Sequence, residues 1–448
     1  MIFSNLKLND NEPIYIQLKN YISDMISKGL IPDNSKLPST RELSQLLQVS
    51  RNSVVLTYEE LKSEGLIYSI SGKGTFVKSK NKSSNTTWSL NWDCLENTYS
   101  KKATELDIIK SEIPWSSDLI SFKSISPDGD LFDMEELKKS FLNRISLEGH
   151  KLLNYGYAQG YKPLIDYLLE YMTNKGADIS NKDILITNGF TEGFDIIMSS
   201  FTQEKDYIIC ENPTHNTAIK IMKSHNLNIL GVDINEDGLD FNMLEDNLVK
   251  YKNKIKFAYI TPSYHNPTGI VMTPENRYKF YNLMKKYNIA IIEDGFNEEL
   301  LYNSSHIFPI CSLDNMNNGV VYIGSFSKIL FPGMRIGWIF ADKKVINKLE
   351  SVKRCRNIHV SFLDQGILFD YLSNGGFEKY IKKIRKFYGD KFNFAYKCIK
   401  KYIKTEYILG DGGLHIFIKL KNIDTRVLLE KCYEKNVIRS EEHTSELQ

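Results

Sequence analysis

The sequence predicts an α/β protein in which an N-terminal winged helix-turn-helix precedes a large, mainly parallel sheet. Residues 1–78 read as helix, helix-turn-helix and a glycine-tipped hairpin. From about residue 118, short apolar strands alternate with helical stretches, as in parallel α/β sheets. One strand leads into Gly324-Ser325-Phe326-Ser327-Lys328, a run that resembles a lysine site for an aldehyde cofactor.

The N-terminal helices follow from apolar periodicity and end signals. In the first helix the apolar residues at helical spacing are Ile14, Leu18, Tyr21, Ile22, Met25 and Ile26, and Gly29 ends it. Ser39, with Glu42 three residues on, is a capping pattern for the second helix. The third starts at Ser50 and stops at Gly65. Two short extended segments then flank Ser71–Gly74, which gives the wing.

Polar residues at the start of the third helix form the expected DNA-reading face. Side chains at this end of a recognition helix reach base edges in the major groove. The predicted DNA-binding residues are Arg41, Ser50, Arg51, Asn52, Ser53, Thr57 and Lys73. Thr57 is included because helical spacing places it on the same face as Ser50 and Ser53. Residues 1–78 hold nine Lys+Arg and eight Asp+Glu, so ordinary solvated polar residues are the alternative interpretation.

The remaining chain divides by composition. Residues 79–117 are predicted to be a linker that begins with a polar Lys/Asn/Ser/Thr stretch, and residues 118–439 a large domain. Its predicted strands are Ile184–Thr187, Tyr207–Glu211, Ile229–Asp233, Phe257–Thr261, Ala290–Asp294, Val320–Ser325 and Ile336–Phe340. Residues 440–448 lack helix or strand periodicity and are predicted to be a foreign tail that replaces the true C-terminus.

Lys328 is the candidate catalytic residue, as the Schiff-base lysine of pyridoxal 5′-phosphate (PLP). Such a lysine needs a lowered pKa and a fixed position. The hydroxyls of Ser325 and Ser327 and the guanidinium of Arg335 can hold a phosphate dianion beside it. The run Ser-x-Ser-Lys also occurs by chance, and a lone lysine is usually a solvated charge.

Four further elements converge on the PLP interpretation. Asn188–Gly193 follows a strand and opens a helix whose free amides can cradle a phosphate. Asn266 could donate to the ring hydroxyl, and Asp294 could keep the pyridine nitrogen protonated. His215 could stack on the ring. Each has a plainer interpretation as a turn, a helix cap or a core histidine, but all lie at carboxyl ends of strands in the order that the site requires.

With these motifs the whole chain resembles the MocR branch of the GntR regulators, which join a GntR-type winged helix to a fold-type I aminotransferase-like domain. The runs that carry the resemblance are Pro38–Gly65, Tyr155–Gly160, Asn188–Gly193, Asn266–Gly269, Glu293–Asp294, Ser325–Gly337 and Gly412–His415. The resemblance implies a PLP aldimine on Lys328. It also implies that Phe190, Thr191, Ser325, Ser327 and Arg335 hold the phosphate. A homodimer is implied as well, in which Tyr155 reaches the partner's phosphate.

Two positions depart from the family pattern. Members usually carry a tyrosine two residues after the aspartate, and this chain has Phe296. Losing that hydrogen bond costs roughly 1 kcal/mol of cofactor binding, unless Tyr264 or Tyr302 substitutes. The family's substrate-carboxylate arginine also has no match, because neither Arg426 nor Arg439 sits in the corresponding motif.

The function predicted from the sequence is a PLP-dependent transcriptional regulator that binds operator DNA and senses an amine, an amino acid or PLP itself. A working aminotransferase with an accessory DNA-binding domain is the alternative, and a dimerisation scaffold with an inactive site is a third. The six cysteines lack CxxC spacing, and no apolar run approaches roughly 20 residues. A cytoplasmic protein with no signal peptide, no membrane span and no metal site is therefore expected.

Overall fold

A computed structural model divides the chain into two compact units, Met1–Leu95 and Glu96–Gln448. The structure describes residues 3, 6–78, 89–106, 120–122, 127–235, 238–295, 297–302, 307–421, 423 and 425–439. Phe296, much of the predicted linker and the predicted foreign tail at 440–448 lie outside the described residues.

The first unit is a winged helix-turn-helix. Its elements are α1 (Ile14–Ser27), β1 (Lys36–Leu37), α2 (Thr40–Leu47), α3 (Arg51–Ser63), β2 (Ile67–Ile70) and β3 (Gly74–Val77). The strands form an antiparallel sheet in the order β1-β3-β2. The predicted capping box starts α2: the Glu42 amide donates to Ser39 Oγ at 3.2 Å, and the Ser39 amide donates to Glu42 Oε2 at 2.8 Å. Such a cap satisfies two amides that the helix leaves free.

The prediction that Thr57 lies on the exposed DNA-reading face is wrong. Thr57 is fully buried, and its Oγ1 donates to the carbonyl of Ser53 at 2.8 Å and lies 3.2 Å from that of Tyr15. Thr57 is buried by a tertiary contact, because α1 packs against this side of α3. Helical spacing places Thr57 one turn after Ser53 but cannot show that another helix covers this part of α3.

The second unit is built on one eight-stranded sheet. Its helices are α4 (Thr98–Glu105), α5 (Met134–Leu152), α6 (Lys162–Asn174), α7 (Gly189–Phe201), α8 (Asn216–Ser224), α9 (Phe241–Tyr251), α10 (Pro274–Tyr287), α11 (Lys343–Arg356), α12 (Phe362–Ser373), α13 (Gly376–Tyr402) and α14 (Thr425–Tyr433). Its strands are β4 (Ile120–Phe122), β5 (Lys182–Thr187), β6 (Tyr207–Asn212), β7 (Asn228–Asn235), β8 (Gly238–Leu239), β9 (Ile255–Ile260), β10 (Ala290–Asp294), β11 (Val320–Ser325), β12 (Gly337–Asp342), β13 (Tyr407–Leu409), β14 (Phe417–Lys419) and β15 (Val437–Arg439).

The order of the strands in the sheet determines which residues meet at its carboxyl edge. The sheet runs β5-β12-β11-β10-β9-β6-β7-β8, with parallel pairing through its centre from β11 to β7. Two smaller sheets pair β13 with β14 and β15 with β4. Strand β12, between β11 and β5, runs antiparallel to both of these neighbours, and its first residue Gly337 pairs with Ser325 and with Thr187. The residues just before β12 therefore meet the carboxyl ends of β5 and β11.

Part of the predicted linker is helical and packs on the large domain. The ring of Tyr99 in α4 lies edge-on to His225, with 5.6 Å between ring centroids. Lys102 Nζ also donates to Asn226 Oδ1. His225 directly follows α8, and its Nε2 lies 2.6 Å from Asp195 Oδ1 of α7. The end of this segment is thus tied to α8 and α7.

The predicted α/β fold class is confirmed, with a winged helix-turn-helix followed by a mainly parallel sheet. Within the described residues, no helix combines the length and the apolar character that crossing a bilayer requires. All six cysteines are free thiols.

Candidate cofactor site and DNA-reading surface

Lys328 lies three residues beyond β11, at the carboxyl edge of the sheet. Its side chain is half-buried. Loss of hydration and the positive charge of Arg335 lower the pKa of the Lys328 ammonium below its usual range. No carboxylate among the described residues forms an ion pair with it that would oppose this shift. The geometry favours a lysine that gives up its proton more readily than a solvated one, as a nucleophilic amine must.

The predicted phosphate-binding groups converge beside Lys328. Ser325 Oγ lies 2.9 Å from Ser327 Oγ and accepts a hydrogen bond from the Ser327 amide at 3.1 Å. Arg335 Nη2 donates to the Asn188 carbonyl at 3.3 Å. Gly189 has a φ of +74°, a left-handed conformation that favours glycine, and a Cβ atom there would lie 2.8 Å from that nitrogen and displace it. The antiparallel β12 thus brings Arg335 to the start of α7.

The start of α7 is open to an anion. Asn188 is its N-cap residue, but the side chain makes no capping hydrogen bond. The first-turn amides, which include those of Phe190 and Thr191, have no intrahelical acceptors in an α-helix. Such amides and the helix dipole together favour a bound phosphate.

Asp294 and Asn266 lie at neighbouring strand ends. Asp294 ends β10 and accepts a hydrogen bond from the hydroxyl of Tyr259 on β9 at 2.8 Å. Asn266 follows β9, is almost fully buried, and its Oδ1 has no hydrogen-bond partner within the described structure. A buried amide oxygen without a partner costs about 1–3 kcal/mol, which a ligand hydroxyl would recover.

Histidines complete the surroundings of Lys328. The ring of His215 lies against Phe190, with 5.2 Å between centroids. Burial and the charges of Lys328, His415 and His265 lower the pKa of His215 to about 3. Burial, His265 and Lys328 likewise lower the pKa of His415 to about 4. Both imidazoles are therefore neutral at pH 7, and they leave the local positive charge to Lys328 and Arg335.

Other predicted residues lie elsewhere. The side chain of Tyr155 is 79% exposed and lies beside His359 rather than within this chain's site. Of the two candidates to replace the family's tyrosine, Tyr302 donates its hydroxyl to the Gly413 carbonyl at 2.7 Å, and Tyr264 packs on Gly412. Phe296 and the side chains of Arg426 and Arg439 lie outside the described part of the structure.

Most predicted DNA-contacting side chains are exposed on the first unit. Arg41, Arg51, Asn52 and Lys73 are exposed, and Ser53 is half-buried. Ser50 is exposed and caps α3, where its Oγ accepts a hydrogen bond from the Asn52 amide at 3.2 Å. The N-terminal end of α3 thus carries arginine, asparagine and serine, the donor and acceptor types that read base edges.

Comparison with known protein families covers both units. Residues 117–444 match the family model described as aminotransferase class I and II, and residues 14–77 match that of bacterial regulatory proteins, gntR family. The chain belongs to the class I and II aminotransferase family, and its added gntR-type domain makes it a MocR-type member of the GntR regulators. The family named from the sequence motifs is thereby confirmed.

Relatives of this MocR-type protein include both regulators and enzymes. An uncharacterised HTH-type transcriptional regulator of Bacillus subtilis, YdfD, is 28% identical over 98% of this chain and 91% of its own length. The regulator NorG of Staphylococcus aureus is 26% identical, with 90% of each chain covered. Aromatic-amino-acid aminotransferase 1 of Thermococcus litoralis is 30% identical over 76% of this chain and 83% of its own.

A solved structure matches the large domain of this MocR-type protein. The multiple substrate aminotransferase of Thermococcus profundus superposes with a TM-score of 0.71 at 27% identity, over 78% of this chain and 88% of that one. The aminotransferase fold is that of a PLP-dependent family. The open start of α7 and the unpartnered Asn266 oxygen fit a phosphate and a ring hydroxyl, so the residues of this MocR-type protein fit that cofactor.

Sequence reasoning missed three side chains around the MocR-type site. Tyr259 and His415 were not assigned roles, although a hydroxyl within the apolar run of β9 was a usable signal for Tyr259. Arg277 in α10 was also missed. It is fully buried and binds both ends of the segment that carries Asn266: Nε donates to the Met272 carbonyl at 3.0 Å, and Nη2 donates to the Pro262 carbonyl at 2.9 Å.

The lowered histidine pKa values predict that the apo protein loses stability in mild acid. Unfolded histidines bind protons below about pH 6.5, whereas folded His215 and His415 stay neutral until about pH 3 and 4. The unfolded state thus binds more protons in this window, and stability falls as pH drops from about 6.5 towards 4. H215N should flatten the decline in unfolding temperature, and H150N, at an exposed site, should not. Equal declines in all three proteins would contradict this prediction.

Proposed function

We propose that this protein is a PLP-dependent, DNA-binding transcriptional regulator that senses an amine, an amino acid or PLP itself through Lys328. One observation carries the proposal: a lysine with a lowered pKa, set among phosphate-binding groups, occurs in the same chain as a helix-turn-helix with an exposed reading end. Either feature alone would fit an enzyme or a simple DNA-binding protein. YdfD and NorG, which match 98% and 90% of this chain, are both named HTH-type transcriptional regulators.

Different residues would bind different parts of the cofactor. When bound, PLP would supply an aldehyde that reacts with an amine and a ring that withdraws electrons. Lys328 would provide the amine. Arg335, Ser325, Ser327 and the open amides of α7 would hold the phosphate. Asp294 would keep the ring nitrogen protonated, Asn266 would bond the ring hydroxyl, and neutral His215 would lie against the ring face.

Two copies of the N-terminal unit would act together on DNA. We propose a homodimer in which exposed Tyr155 completes the partner's phosphate site and two copies of α3 read two half-sites of an operator. Arg51 and Asn52 suit direct base contacts, while Arg41 and Lys73 suit phosphate or wing contacts. With a net charge of only +1 in residues 1–78, these few contacts would dominate specific binding. The proposed place of action is the cytoplasm, where the operator is accessible.

Signal transfer would rest on differential affinity. A ligand changes operator binding only if it binds two conformations of the dimer unequally. Coupling of this kind typically changes affinity about 5–150-fold. An incoming amine would compete with Lys328, and a Lys328 side chain with a free amine would alter the charge beside Arg335 and His215. The domain would then hold the linker, and through it the two winged helices, in a different arrangement.

The proposal is tested by recording visible absorption and operator binding on the same preparation. The protein is loaded with PLP and titrated with amines and amino acids, while fluorescence anisotropy follows a labelled operator fragment. A cofactor band that shifts and persists, together with a change in operator affinity, supports a sensor. A band that bleaches to the pyridoxamine form with steady turnover would instead favour the aminotransferase. No band with added PLP would exclude the proposed function.

A further inference from the structure

Tyr259 stands out among the buried hydroxyls because its partner is the aspartate assigned to the cofactor ring. The tyrosine lies on β9 and Asp294 on β10, two strands that pair in parallel with Tyr259 opposite Ile292. Asp294 is therefore one same-face position further along the neighbouring strand. The hydroxyl donates to Asp294 Oδ2 at 2.8 Å, and Tyr259 is 1% exposed.

We propose that Tyr259 is a positioning residue that keeps the Asp294 carboxylate ionised and oriented for the ring nitrogen of PLP. A buried carboxylate is costly unless donors satisfy its oxygens. A hydrogen bond to the charged form favours that form. The inference rests on the proposed cofactor function, but it concerns a residue that does not itself touch the cofactor.

The surroundings of Tyr259 support a fixed donor. Its ring packs edge-on to Phe194 with 5.1 Å between centroids, and at 6.2 Å from Phe190. Phe190 in turn lies against His215. Burial and the neighbouring Asp294 charge raise the pKa of the phenol well above its usual value. The hydroxyl therefore stays protonated throughout the physiological range and donates a hydrogen bond to Asp294.

Tyr281 offers a matched control within the same domain. It is also almost fully buried, and its hydroxyl also faces an aspartate, Asp314 Oδ1, at 3.3 Å. This pair lies on α10 and the segment before β11, where Asp314 binds Lys182. Y281F thus removes a tyrosine–aspartate contact with the same loss of one oxygen atom, but without touching Asp294.

The experiment compares PLP affinity and the pH titration of the visible cofactor band in wild type, Y259F and Y281F. Y259F should bind PLP roughly 10-fold more weakly, as expected for loss of one hydrogen bond to a charged group. Its band should also titrate at a shifted pH. Y281F should match wild type in both, and unfolding temperatures show whether both variants fold. A shift in the band's titration separates positioning from a merely structural role.

The double variant D294N/Y259F tests whether Tyr259 acts through Asp294. In a D294N background, Y259F should add little further loss of PLP affinity, because the carboxylate on which it acts is gone. Additive losses in the double variant, or Y259F behaving like Y281F, would overturn the role of Tyr259 and leave the cofactor function standing. Failure of wild type to bind PLP would overturn both.

Discussion

Replacing Lys328 by alanine is expected to abolish retention of PLP and to make operator affinity independent of amine ligands. Lys328 is the amine at the centre of the site, and its lowered pKa suits it to form a bond with an aldehyde. Without that bond only noncovalent contacts to the phosphate and the ring would hold the cofactor, and dialysis should remove it. If wild type responds by about 5–150-fold, the ratio of operator affinities with and without ligand should fall to about 1 in K328A.

K328R separates the covalent bond to PLP from the positive charge of Lys328, and K348A is a surface control. K328R keeps a positive charge beside Arg335 but offers a guanidinium that stays protonated, so it should lose PLP as K328A does. K348A removes an exposed lysine of α11 and should behave as wild type. Absorption after dialysis and anisotropy of a labelled operator measure the two effects. A normal ligand response in K328A would refute sensing through this lysine.

Replacing Arg277 by methionine is expected to destabilise the large domain by at least about 3 kcal/mol, because it removes four hydrogen bonds from a charged donor and each such bond contributes about 1.5–3 kcal/mol. Besides the Met272 and Pro262 carbonyls, the guanidinium binds the Phe308 carbonyl at 2.9 Å and Ser263 Oγ at 2.8 Å. Methionine fills similar space but removes one charged donor from each of these oxygens. Because Pro262 and Met272 border the segment that carries Asn266, PLP affinity should fall as well.

Urea unfolding followed by tryptophan fluorescence measures this loss, since Trp338 lies in the core of the large domain. R354M makes the same substitution at an exposed position, where Arg354 pairs with Glu350. Exposed pairs contribute about 0–1 kcal/mol, so R354M should be nearly neutral. Equal midpoints for R277M and R354M would show that the Arg277 network does not hold the domain together.

The fold was largely predictable because its signals are local. Strands β10 and β11 were predicted with their observed bounds, since each is a continuous apolar run that leads into polar residues. Glycine and capping signals likewise marked the three helices of the first unit. The predicted site residues from β5, β9, β10 and β11 share one edge because parallel strands end together.

The contacts that sequence reasoning missed depend on tertiary neighbours. Tyr259 reaches Asp294 only because β9 and β10 are adjacent, although 29 residues lie between β9 and β10 in the chain. Thr57 has the spacing of an exposed residue but lies under α1. Arg277 belongs to a helix with an ordinary charged surface pattern, and its burial follows from how α10 packs on loops. None of these is encoded by periodicity within one element.

The position of helix α8, between the proposed cofactor site and the contact with α4, constrains how this protein can evolve. His215 precedes it at the proposed cofactor site, and His225 follows it at the contact with Tyr99. Nine helical residues span roughly 14 Å, so both contacts belong to one stiff element. Mutations in α8 that adapt the proposed pocket to another amine would also disturb the contact between His225 and Tyr99 of α4. Ligand preference and regulatory output are therefore expected to evolve together rather than independently.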